Sequence, residues 1–207
     1  MSAIKLYRYP ISGHAHRVEV FLGLLGLEHE LIHVDIPSGE HKKPAFLAKN
    51  PFGQVPVIED GDKVLADSAA ILVYLAKKYD TSGQWLPEDA DSYARIQRYI
   101  AIASGPVTNG PAAARRANLF GADINRVEVE KISKQVLTIL NSELENTHWL
   151  VGNSPTLADV AIYSYVAHAP EGNIDLTPYE NLTAWIERFE SLRGFIPMQK
   201  SPVGLFA

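Results

Sequence analysis

The stretch Asn50–Ser68, NPFGQVPVIEDGDKVLADS, carries the reading that decides the fold. Val55, Val57 and Ile58 read as a buried strand over residues 55–59, yet Pro56 stands among them. Proline cannot donate to a β ladder, so it belongs on an edge strand, at a first position or at a bulge. One alternative is an edge strand that binds nothing. The other is a cis Val55–Pro56 bond in a tight turn, which would turn the Val55 backbone outward to pair with an extended, peptide-like ligand. Asp60-Gly61 then gives a hairpin signal leading to a short strand at Val64–Leu65. Ser68 is the expected N-cap of a helix running to Tyr79, with Ile71, Leu72 and Leu75 on one face.

Upstream, AIKLYRY (residues 3–9) alternates and is rich in tyrosine and aliphatics, as a strand does. Pro10–Gly13 is a turn, and residues 16–25 repeat apolar side chains at helical spacing, with Gly26 as the stop. HELIHVDI (29–36) reads as a second strand, and Pro44–Lys49 as a short helical turn. The order is therefore β-α-β-(α)-β-β-α. It has a parallel start, an antiparallel hairpin and a covering helix.

Downstream the pattern changes. DTSGQWLPEDAD is polar, with Gly and Pro, and reads as a linker. From Asp91 only helical periods follow: 91–104 and 126–146, both long and amphipathic, then 157–169 and 181–192. We expect an α/β domain over residues 1–80 and an all-helical domain over 88–207. Gly105-Pro106 and Gly110-Pro111 break the segment 95–121 into a kinked helix or two helices. Thr156 and Asp159 have capping-box spacing.

The totals exclude several classes. The chain has 207 residues and no cysteine, so disulfides, cysteine nucleophiles and thiolate metal ligands are absent. A net charge of −5 carries no basic nucleic-acid footprint. The first residues lack the apolar core of a secretory signal. The longest apolar run, Val20–Leu27, is too short to span a bilayer. A cytoplasmic protein without nucleic-acid or membrane partners is the expectation. His14 and His16 fall on different faces of a helix, and His29 and His33 have no third ligand nearby, so no metal site is expected.

Three positions carry chemistry. Ser12, between the first strand and first helix, is either an N-cap or a hydrogen-bond donor to an anion held at a helix N-terminus. A thiolate is such an anion, and with no cysteine in the chain the thiol would arrive on a ligand. No G-x-S-x-G elbow surrounds Ser12. At Asp67-Ser68, a helix N-terminus could take a ligand carboxylate while Asp67 takes an ammonium, which together describe an α-amino acid. The charged loop 40–44 could offer His41 and Lys42 to a second carboxylate.

The order of these signals resembles the glutathione transferases, most closely the phi class and its bacterial relatives. SGHAHRV (12–18), HKKPAFLAKNPFGQVPV (41–57) and ADSAAILVYLAKKY (66–79) carry the likeness, and SPTLADVAIYSY (154–165) extends it into the helical half. The resemblance implies a thioredoxin-like N-terminal domain and an all-α C-terminal bundle. It implies that glutathione is a co-substrate, with no cofactor or metal, and that Ser12 donates a hydrogen bond to its thiolate. It implies that Val55, before a cis Pro56, pairs with the cysteinyl backbone. Asp67 and Ser68 would hold the γ-glutamyl end, and His41, Lys42 and Gln54 would reach the glycine end. The family more often has Glu where this chain has Asp67.

A hydrophobic electrophile would sit against Ile102, Asn109, Ala113 and Arg116. Conjugation or reduction of organic peroxides would follow, in a homodimer in which Phe52 inserts into the partner. Tyr7 and Tyr9 are the rival thiolate donors, but they share one face of the first strand and read as sheet residues. The rival classes are a non-catalytic interaction module and a ligand-storage protein on the same scaffold.

Overall fold

The computed structural model describes residues 3–207. The chain divides into two compact units: residues through Thr81 together with Leu192–Gln199, and Ser82–Ser191 together with Lys200–Ala207.

The first unit is a four-stranded mixed sheet in the order β2-β1-β3-β4, where β1 is Ile4–Arg8, β2 His29–His33, β3 Val57–Asp60 and β4 Lys63–Ala66. β1 and β2 are parallel, joined by α1 (Gly13–Leu24); β3 is antiparallel to both β1 and β4. A short α2 (Pro44–Leu47) precedes β3, and α3 (Ser68–Tyr79) follows β4. The third strand starts at Val57 rather than at the expected Val55. Pro56 has no N–H to give, and the Val55–Pro56 bond is cis.

Adjacent carboxylates show which helix covers which face. Side chains alternate along a strand, so Glu59 and Asp60 point to opposite sides. Glu59 accepts from Tyr7 Oη at 2.9 Å and pairs with Lys49 just after α2. Asp60 accepts from Tyr74, Lys78 and Tyr79 on α3 at 2.7–2.8 Å. Val57, Tyr7 and Phe46 therefore lie on the α2 face. Leu6 and Ile58, both fully buried, lie on the α3 face, and α1 packs against α3 there.

The segment 192–199 had been expected within the helical domain and instead belongs to the first unit. His16 Nε2 lies 2.8 Å from the Ile196 carbonyl oxygen. A Cβ on Gly194 would stand 2.3 Å from the Gly23 carbonyl, and Gly194 has a φ of +89°. Only glycines allow that approach.

The second unit is helical: α4 (Ala90–Ser104), α5 (Pro106–Asn109), α6 (Pro111–Phe120), α7 (Arg126–Glu143), α8 (Leu157–Ala167) and α9 (Glu180–Glu190). The Gly-Pro pairs separate α4, α5 and α6, as two breaks in the periodicity predict. Helix α8 is buried on every side from Leu157 to Val166, the mark of a central helix. Its capping box is closed by Thr156 and Asp159, and Asp159 also accepts from Leu150 N at 3.1 Å and Trp185 Nε1 at 2.8 Å. Among the described residues no helix is long and apolar enough to cross a membrane.

Candidate active site

Strand directions collect the site. β1 runs antiparallel to β3 with Tyr7 opposite Val57, so the chain leaving β1 toward Ser12 starts beside the residues entering β3. Val57 also faces Ala66 at the end of β4, which brings Asp67 and Ser68 to that same end. β2 is parallel to β1 and delivers the loop toward His41 there too. One end of the sheet therefore receives the four N-terminal segments in which the sequence placed candidate residues: Ser12, the loop at His41, Gln54–Pro56 and Asp67–Ser68.

Ser12 caps α1. Its Oγ accepts from the Ala15 N–H at 3.3 Å, and its own N–H donates to Tyr9 O at 2.9 Å. The side chain is part-exposed at a helix start, where amides without intrahelical partners and the positive end of the dipole favour an anion.

The loop before β3 is organised by Asn50, a buried residue that the sequence reading passed over. Its Nδ2 donates to Gln54 O at 2.8 Å, and its Oδ1 accepts from Phe52 N at 3.1 Å. The turn signal N-P-F-G was its only trace in the sequence. Lys42 Nζ donates to the Phe52 and Gly53 carbonyls at 3.1 and 3.2 Å, joining the turn Glu40–Lys42 to this loop. Gly53 has φ +59°, and a Cβ there would stand 2.7 Å from His41 O, so both conformation and space demand glycine. The His41 Nδ1 is buried and has no hydrogen-bond partner. Val55 is half-buried and Gln54 exposed, both outside the ladder that Val57 begins.

At α3 the expected cap moves by one residue. Asp67, not Ser68, is the N-cap: its Oδ1 accepts from Ala69 N at 2.8 Å and Ala70 N at 3.1 Å. Asp67 is exposed and holds φ +72°, a sparsely populated conformation for a non-glycine residue. Ser68, the first helical residue, is buried, with Oγ 3.4 Å from both Arg17 Nη1 and His14 Nδ1. The sequence reading quoted Arg17 only within the segment 12–18, and gave His14 no role in the site.

The tyrosine rivals are occupied elsewhere. Burial, followed by the neighbouring Glu59 carboxylate, holds the Tyr7 hydroxyl above its ordinary value, away from an ionisable donor's range. Tyr9 lies against the His33 ring with centroids 5.9 Å apart.

The four residues expected around an electrophile do not gather. Ile102 and Asn109 line a pocket of about 320 Å³ within the helical unit, together with Pro106, Ile132, Val136 and Ile139. Ala113 is buried in a cluster with Ala114 and Val129, and Arg116 is exposed.

Residues 6–83 match the model of the glutathione S-transferase N-terminal domain, and residues 122–192 that of the C-terminal domain. The chain is 36% identical over 166 residues to "Glutathione S-transferase 3" of Zea mays, covering 77% of this chain and 75% of that one. The chain belongs to the glutathione S-transferase family. It is also 32% identical over 190 residues to "Maleylpyruvate isomerase" of Ralstonia sp, covering 87% of this chain and 89% of the relative. The crystal structure of a glutathione S-transferase from Pseudomonas fluorescens superposes with a TM-score of 0.89 at 33% identity, over 96% of this chain and all of that one. The thioredoxin-like sheet followed by a helical unit is thus the glutathione S-transferase fold, and the segments around Ser12, Pro56 and Ser68 lie inside the matched N-terminal domain.

Proposed function

We propose that this protein is a serine-type glutathione transferase acting in the cytoplasm. Glutathione lies along the end of the sheet, its cysteinyl backbone paired with Val55 N–H and C=O before the cis Pro56. Asp67 and Ser68 receive the γ-glutamyl end at the start of α3. His41, Lys42 and Gln54 receive the glycine end, where the unpartnered His41 Nδ1 is available.

Ser12 donates its hydroxyl proton to the glutathione sulfur, and the first-turn amides of α1 add their dipole. Together they favour loss of the thiol proton to solvent. The thiolate electron pair then forms a bond to an electrophilic carbon. A halide leaves, or the displaced pair forms an enolate that solvent protonates. With an organic peroxide, sulfur takes one oxygen and the alkoxide leaves as alcohol. A second glutathione then yields the disulfide and water. Activation is by a lowered nucleophile pKa and not by a general base.

The observation that carries the reading is the convergence at one sheet end of a helix start, a strand entry left open by proline, and a second helix start. The test is calorimetric titration with glutathione at neutral pH while the ultraviolet thiolate band is followed. Saturable binding is expected, with a thiolate signal that disappears in Ser12→Ala while binding remains. No binding at millimolar glutathione would sink the enzyme reading and leave a scaffold module. A substrate panel should include haloarenes, enones, organic hydroperoxides and, given the isomerase relative, an unsaturated keto-dicarboxylate.

The same proposal includes a homodimer. Phe52 is 80% exposed at the tip of the loop before β3. The apolar pocket lined by Ile102, Pro106 and Ile139 fits an aromatic ring from a second copy. That occupant would remove Ile102 and Asn109 from the electrophile's surroundings.

A further inference from the structure

We propose that His14 is a positioning residue for glutathione, setting the direction of the Ser68 hydroxyl and tying the first turn of α1 to the first turn of α3; this rests on the glutathione reading above. His14 and Arg17 are three apart on α1, so they share the helix face that looks at α3. Both reach one atom, Ser68 Oγ, at 3.4 Å. Arg17 is fully buried and Ser68 is 5% exposed, so solvent does little to reorient that hydroxyl.

The proton count at this atom gives the mechanism. An arginine has donors only, so Ser68 Oγ accepts from Arg17. A hydroxyl has one proton left to place. If His14 Nδ1 carries no proton, Ser68 donates to it, and the lone pairs of Ser68 are all that face a ligand. If Nδ1 carries the proton, Ser68 accepts from both His14 and Arg17, and its own O–H is released toward the helix start. A carboxylate arriving there needs donors. It therefore selects the Nδ1–H form of His14, and an α-amino-acid carboxylate is held by Ser68 O–H together with the Ser68 backbone N–H, the first-turn amide of α3 that neither the Asp67 cap nor the helix ladder uses. Asp67 caps that helix and stands beside it as the counterpart for an ammonium. His14 touches neither the sulfur nor the electrophile in this scheme. It acts through Ser68.

The test uses S-methylglutathione, which has the carboxylates and no thiol, on the full chain. In wild type, ¹⁵N spectra of the labelled histidines should show His14 move to the Nδ1–H form on saturation, assigned by its absence in His14→Asn. His14→Phe should weaken S-methylglutathione binding on the order of tenfold, the worth of one buried hydrogen bond. His14→Asn, whose amide can donate from the Nδ1 position, should recover most of that loss. In turnover, the His14→Phe effect should fall on KM for glutathione more than on kcat. Circular dichroism and melting of both variants separate misfolding from lost recognition.

Equal affinity of His14→Phe and wild type overturns the inference while leaving the enzyme reading intact, and so does an unchanged His14 tautomer in saturated wild type. Failure of wild type itself to bind S-methylglutathione or glutathione overturns both.

Discussion

Tyr7 donates its hydroxyl to Glu59 Oε1 at 2.9 Å, on the sheet face that α2 covers, while Ser12 caps the helix that packs with α3 on the other face. These two candidate thiolate donors are thus committed to different surroundings. Tyr7→Phe should leave the thiolate band and kcat within about twofold, and cost roughly 1 kcal/mol of stability from the lost bond. Ser12→Ala removes a hydrogen bond to a charged sulfur, worth about 1.5–3 kcal/mol, and should lower turnover about 10- to 100-fold. Steady-state kinetics on the two variants checks both. A large loss in Tyr7→Phe with none in Ser12→Ala would reverse the assignment.

What the sequence shows is what local periodicity encodes. The alternation of Ile4–Arg8 and the helical spacing of Ser68–Tyr79 were legible because each element buries one face. The candidate site was drawn from short contiguous segments beside Pro56, Ser12 and Ser68, which the strand directions bring to one end of the sheet. The N-cap at α3 was misplaced by one residue because Asp and Ser cap about equally well, and only backbone geometry separates them. Ala113 was read as pocket-lining, yet α6 is alanine-rich so that it can sit tightly on the turn Ala169–Gly172. A Cβ on Gly172 would already stand 2.8 Å from Ala114 Cβ. The return of residues 192–199 to the first unit has no local signature.

That return gives a prediction. Gly194→Ala must place a methyl 2.3 Å from a backbone carbonyl at φ +89°, and no flexible side chain can move aside. We expect a loss of about 2–4 kcal/mol from strain and overpacking together. Gly26→Ala is the control, because it also has positive φ but meets nothing within 4 Å. It should cost only about 1 kcal/mol. Urea denaturation of both variants measures the difference.

Asp159 and Asp60 should respond to acid in opposite directions. Burial pushes the Asp159 carboxyl up to about 6, against hydrogen bonds from Thr156, Trp185 and Leu150 that pull it down. Its folded pKa lies above the unfolded value, so its stabilisation is fully present below the unfolded pKa and is lost as pH rises through about 6. At Asp60 burial also raises the pKa, but hydrogen bonds from Lys78, Tyr79 and Tyr74 outweigh it and the net shift is downward. Its contribution is present above the unfolded value and is lost as pH falls through the folded one.

Asn at 159 does not titrate and offers an amide group to surrounding donors, so Asp159→Asn should destabilise by about 1–3 kcal/mol. The gap to wild type should widen by roughly 1 kcal/mol between pH 7 and pH 5. For Asp60→Asn the gap should stay level over that range and narrow only below about pH 4. Denaturant midpoints measured across pH for the three proteins test both signs.

The last prediction concerns Phe52. An aromatic ring 80% exposed is costly to leave in water, and the pocket on the helical unit is walled by Ile102, Ile132, Val136 and Ile139. If the ring of one copy fills the pocket of another, Phe52→Ala removes a central anchor and should weaken dimerisation at least tenfold. Ile139→Asp attacks the other wall: Ile139 is 42% exposed, so the change should spare the fold while placing a charge against the ring. Because each change breaks the same contact, the double variant should lose no more than the larger single loss, the non-additivity of touching residues. Sedimentation equilibrium on the four proteins reads this directly. Dimers of unchanged strength in Phe52→Ala would empty the pocket of its aromatic occupant, and Ile102 and Asn109 would then return as the residues to mutate in search of the electrophile.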